Sequence, residues 1–145
     1  MPTARRIALM LAVAWLGMLL ALAFLAAPSA FAVLPREQAG QLAARLFQQE
    51  AWASLALGVG VWLLQRRGVG APRAGWQAEN LLPGIAVLCT ALGYFALQPV
   101  LASARAGQTA WSFAVWHGVS MLFFAVKTFA VSLLGWRLSN SAQRR

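Results

Sequence analysis

The chain contains no aspartate, and its only acids are Glu37, Glu50 and Glu79. Charged residues make up just 10% of it, against about 25% in a soluble domain. Three scattered glutamates offer no carboxylate dyad, and neither a nucleotide-binding loop nor a nucleophile elbow is present. No enzyme is expected on this reading. The one cysteine, Cys89, excludes an intrachain disulfide. With one histidine beside it, the chain also lacks the roughly four N/S ligands of a zinc site.

What is abundant is apolar, at 61% of residues. The net charge of +9 would suggest nucleic acid in a soluble protein, but the basic residues sit in short clusters between apolar runs. That is the pattern of membrane orientation, and no nucleic-acid partner is expected. Four runs, at residues 7–27, 46–64, 81–102 and 113–136, approach or exceed the roughly 20 residues that cross a bilayer. The expected fold is an all-α integral membrane four-helix bundle in one domain, residues 1–145. The second run is the weakest, because Gln48, Gln49 and Glu50 lie near its start.

The first run also resembles a secretory signal, with Arg5-Arg6 ahead of it and Ala30-Phe31-Ala32 as a cleavage motif. A signal h-region is about 7–15 residues, so an uncleaved helix is the expectation. Eight arginines (5, 6, 66, 67, 73, 137, 144, 145) fall on one side of the four runs and three (36, 45, 105) on the other. This places both termini in the cytoplasm of a multi-pass inner-membrane protein. Pro35 and Glu37 suit the start of a long second helix, whose amphipathic first part, 36–49, would lie against or above the outer surface. The loop 68–80 is punctuated by glycine and proline and reads as mobile, with Trp76 as an interfacial anchor. Gly17/Ala21, Ser54/Gly58 and Ala56/Gly60 are small-residue pairs suited to close helix packing, within one bundle or a homo-oligomer.

Ionisable groups inside spans are costly and are the first functional candidates. At about 1.5 Å of rise per residue, Lys127 falls about 4 Å to the cytoplasmic side of the midplane. Cys89, Thr90 and Trp15 come out near that level, as partners for a lysine that otherwise snorkels to the headgroups. Gln49, Glu50, Gln98 and His117 fall roughly 7–11 Å outside the midplane, with Ser120 on the same helix face as His117. They form either a polar knot locking helices together or a ligand site, in which Glu50 would orient His117 toward a proton, metal or haem iron.

Trp15 and Gly17, Ala27-Pro28 with Phe31 and Leu34-Pro35, Ala39-Gly40 before Leu46-Phe47, Gln98-Pro99, and His117-Gly118 with Ser120 occur in order along nearly the whole chain. This set resembles the bacterial relatives of transmembrane protein 205, a four-span family of unknown function. A more distant similarity to copper-resistance-D-type and haem-handling bundles would imply His117 as a metal or haem ligand. The chain departs from the family pattern in a short loop before the fourth run and in Trp116 ahead of His117. The resemblance also implies that Pro28 ends the first helix, with Phe31 and Leu34 turning back as a lid over the Glu50 level. Three functions stay open: a non-enzymatic bundle with a structural or small-ligand cluster, a haem- or metal-binding protein, and an oligomeric transporter using Lys127 and Glu50.

Overall fold

A computed structural model describes residues 3–67 and 78–143. Among them there is no strand, and four long helices account for nearly all of the chain. Helix α1 spans Thr3–Val33. Helix α2 spans Arg36–Arg67. Helix α3 covers 78–105 and α4 covers Phe113–Gln143. Three stretches, Thr3–Val33, Asn80–Arg105 and Phe113–Asn140, are long and apolar enough to cross a membrane. Helix α2 is not among them, because Glu50 and the flanking glutamines interrupt its apolar run.

The prolines explain where the helices widen and where they stop. A proline lacks the N–H that would bond the carbonyl four residues back, and its ring crowds that carbonyl. For Pro28 and Pro99 those carbonyls belong to Phe24 and Phe95. Both lie in π-helical turns, Leu22–Ala26 in α1 and Ala91–Ala96 in α3. The wider turn accommodates the ring, and the helix continues. Pro28 therefore does not end α1, contrary to the expectation from sequence. The break comes at Leu34, which is extended (φ −110°, ψ 151°) because a residue preceding proline is pushed out of the helical region. The next helix starts at once, with Ala39 N–H donating to the Pro35 carbonyl at 2.9 Å.

Helix α3 ends in a Schellman cap. Gln108 N–H donates to Ser103 O at 2.9 Å and Gly107 N–H to Ala104 O at 3.1 Å. Gly107 supplies the left-handed residue at φ 70° that this cap requires. At the other end of α3, Ala78 to Asn80 are already helical, so the expected loop 68–80 is shorter by three residues. The rest of that loop, with Trp76, lies outside the described residues.

On three of the helices a row of buried positions is spaced alternately by four and three. They are Ala8, Ala12, Trp15, Leu19 and Leu22 on α1, and Leu82, Ala86, Cys89 and Gly93 on α3. On α4 they are Lys127, Val131, Leu134 and Leu138. This is the seam of an antiparallel bundle, and the helices close a ring in which each packs on its two neighbours. Nearest the chain termini, Ala8, Ala12, Val61, Leu82, Ala130, Leu134 and Leu138 form an apolar core. Trp15, Leu19, Ala86 and Val131 form the next layer toward the two turns at 34–35 and 106–112. At the turn end the ring loosens into two arms. Ala27–Val33 packs on α2 and Leu97–Arg105 on α4, without contact between those two segments.

Close helix approach rests on two glycines. A Cβ on Gly58 would overlap Val87 and press on Trp15 at 3.1 Å, so Gly58 lets α2 meet α3 and α1 at once. A Cβ on Gly93 would overlap Phe123 of α4. Of the expected small-residue pairs, Ser54/Gly58 is buried at such a contact. Gly17, Ala21 and Ala56 are exposed instead, and nothing stands within 4 Å of a Cβ at Gly17 or Gly60. As expected, α2 is one long helix from Arg36 to Arg67, and its first half buries Ala39, where the outer part of α1 packs against it.

Candidate functional site

The centre of the bundle holds an ion pair. Lys127 Nζ donates to Glu50 Oε1 at 2.7 Å, with the two residues 3% and 5% exposed. Ser54 Oγ, one helical turn from Glu50 on α2, donates to the same carboxylate oxygen. Trp15 Nε1 of α1 donates to Ser54 Oγ at 2.8 Å. An indole N–H can only donate, so Ser54 must accept there and turn its own proton toward Glu50. Glu50 Oε1 thus accepts from both neighbours, the arrangement of an ionised carboxylate facing an ammonium. One carboxylate oxygen ties α1, α2 and α4 together.

The surroundings suit a cation. The Phe124 ring lies 4.9 Å from Lys127 Nζ, at cation–π range. Phe124 also meets Phe47 edge-on at 5.6 Å. Phe47 and Phe124 each stand one turn before their charged neighbour, Glu50 or Lys127, so this aromatic contact covers the pair on the turn side. On the terminal side the apolar layers of Val131, Leu134 and Leu138 close it off. Cys89 is buried as an electrostatic neighbour of Lys127. Thr90 is buried beside it but spends its hydroxyl on the Ala86 carbonyl at 2.9 Å.

The groups expected from depth are therefore rearranged. Lys127 does not snorkel, and Glu50, expected beside Gln98 and His117, is its partner. Two physical reasons account for this. A lysine stem leans toward its helix N-terminus, which for α4 is the turn end, so the ammonium sits closer to the turns than its Cα. The position of α2 is set by packing Ser54 and Gly58 against Trp15, not by the centre of its hydropathic run. Trp15 bonds Ser54, and the aromatic face expected of Trp15 comes from Phe124 instead.

The outer residues do not gather. Gln49, Gln98 and His117 are exposed. His117 stacks on Phe113 with ring centroids 5.6 Å apart, and the Arg105 guanidinium lies 4.8 Å from that same Phe113 ring. Ser120 Oγ donates to the Gly93 carbonyl at 2.8 Å, inside the π turn of α3. Phe31 is 52% exposed and Pro28 is exposed as well, so with Leu34 they form no lid. Phe47 and Phe124 occupy that place. Among the described residues no three His, Cys, Asp or Glu side chains converge as metal ligands, and the donors around His117 do not fit a metal centre.

Ser54 and Phe124 are the members that sequence reasoning missed, while Trp15, expected at the Lys127 level, reaches the pair through Ser54. The signal for Ser54 was its i+4 spacing from Glu50, and for Phe124 its place one turn before Lys127.

These features define a class: a small helical membrane-type bundle with a charge pair buried at its centre. Residues 10–110 match the model of a family described as a domain of unknown function, DUF4149, and the chain belongs to that family. No curated protein and no solved structure matches it.

Proposed function

We propose that this chain is a non-enzymatic four-span membrane protein in which Glu50, Lys127, Ser54 and Trp15 form the lock that sets its helix arrangement. The carrying observation is the convergence of Lys127 and Ser54 on one buried oxygen, with Trp15 fixing the direction of the chain of donors. Glu50 is the residue that keeps α2 from being apolar enough to cross alone, and Lys127 is the matching charge on α4. The pair makes a fourth crossing tolerable, because each charge is unaffordable in hydrocarbon without the other. The arginine asymmetry favours a bacterial inner membrane with both termini in the cytoplasm. Kinship with transmembrane protein 205 rests on the ordered residues from Trp15 to Ser120 alone.

The test is a double-mutant cycle on the detergent-purified chain. Glu50→Gln or Lys127→Met alone leaves one buried polar group stranded and should cost about 3–5 kcal/mol. Glu50→Met with Lys127→Met removes both and should recover most of that loss. Singles with unchanged stability would remove the lock. If the stable single variants also lost proton or anion flux in proteoliposomes, the transporter reading would take its place. That reading is favoured by the direct Glu50–Lys127 contact and opposed by the apolar layers on the terminal side.

A further inference from the structure

A groove of about 210 Å³ runs along the outside of the α2–α3 seam. Gly58, Val59 and Trp62 of α2 and Pro83, Gly84 and Val87 of α3 line it. Val59 and Gly84 are exposed, so it opens away from the bundle, toward lipid. It stays open because Gly84 contributes no side chain, and a Cβ there would meet nothing within 4 Å. One turn beyond Trp62, at the terminal end, the Arg66 guanidinium is held 3.9 Å over the Trp62 ring. By helix rise, Arg66 stands about 6–12 Å along the axis from the groove residues of α2.

We infer that this groove is a binding site for one anionic phospholipid of the leaflet on the terminal side. The dimensions follow the molecule. An acyl chain fills the apolar slot between Val59 and Val87, and the phosphate meets Arg66 at headgroup depth. An arginine stacked on an indole is pre-oriented, so less side-chain entropy is lost when it donates to phosphate. Arginine also offers a paired, planar set of donors suited to phosphate oxygens. A zwitterionic lipid would fill the same slot, but its headgroup would bring its own cation to Arg66. The site thus selects by headgroup charge and retains by chain burial. This reading does not depend on the Glu50–Lys127 lock, whose residues face the bundle interior.

The experiment is native mass spectrometry of the full chain released from detergent with equimolar phosphatidylglycerol and phosphatidylcholine of identical acyl chains. One retained phosphatidylglycerol is expected, preferred about fivefold, the effect of one well-placed basic residue. Arg66→Gln should erase the preference, and Gly84→Leu should reduce retention of both lipids. Val59→Phe fills the slot from α2 and serves the same purpose if Gly84→Leu does not fold. Arg6→Gln, an exposed arginine of α1 at the same end, should change nothing. Equal retention of the two lipids, or an Arg6→Gln loss as large as that of Arg66→Gln, would overturn the site in favour of diffuse attraction. A lipid-free dimer that Gly84→Leu dissolves would overturn it in favour of a second copy of the chain.

Discussion

Single residues in this molecule are constrained by what an apolar medium cannot forgive. Trp15 has two tasks, filling the layer between α1 and α3 and orienting Ser54 through its N–H. Trp15→Phe keeps most of the ring and removes the donor. Interhelical hydrogen bonds in membranes average about 0.6 kcal/mol, so this variant should lose about 1 kcal/mol or less in a reversible unfolding assay. Gly58 is stricter. Gly58→Ala forces a methyl group into Val87 and Trp15, and overpacking of this kind costs about 1–3 kcal/mol. Gly60→Ala, two residues along the same helix, meets nothing and should be neutral or slightly stabilising. Comparable gains at the two positions would show that helix propensity, not interhelix distance, governs α2. His117 provides the complementary case. It is exposed on Phe113 and distant in role from Glu50, so Glu50→Ala and His117→Ala should be additive within about 0.5 kcal/mol.

At the scale of elements, the helices were legible and their ends less so. Apolar length marked out four helices, and Pro35 with Glu37 marked the start of α2 correctly to within a residue. The error at Pro28 has a clear origin. A proline inside a helix breaks it when the unbonded carbonyl has nowhere to go, and sequence does not reveal that a π turn will absorb it. Pro99 repeats the device in α3, and there the loosened backbone is used, since Gly93 in the widened turn accepts Ser120. The end of α3 gives a sharp test. Gly107 sits in the left-handed region that its cap needs, and Gly107→Ala should cost about 1–2 kcal/mol. The loss should appear as faster amide exchange confined to the amides of Gly107 and Gln108, which bond back onto α3. Global loosening instead would mean that the turn positions α4 as a whole.

For the whole molecule, the pattern of charges tells more than the count of apolar runs. Depth estimates treated each run as independent and separated Lys127 from Glu50, whereas side-chain lean and the Trp15–Ser54–Gly58 packing bring them to one level. Interior partners of this kind depend on helix rotation and axial offset together, which no single run encodes. The consequence is a topological one. Three helices are apolar enough to cross alone, and α2 is not. If α2 crosses because Lys127 neutralises Glu50, both termini share one side and the turns at 34–35 and 106–112 share the other. If α2 stays outside, the crossing of α1, α3 and α4 alone puts the termini on opposite sides. Cysteines introduced at the exposed positions Thr3, Gln108 and Asn140 distinguish these arrangements by reaction with an impermeant maleimide in sealed vesicles. The native thiol, Cys89, is buried and contributes little background. With four crossings, Thr3→Cys and Asn140→Cys react from the same side and Gln108→Cys from the opposite side. Adding Lys127→Met should then convert part of the population to the three-crossing pattern, with Asn140→Cys reacting from the side opposite Thr3→Cys, because Glu50 enters the bilayer without its counter-charge.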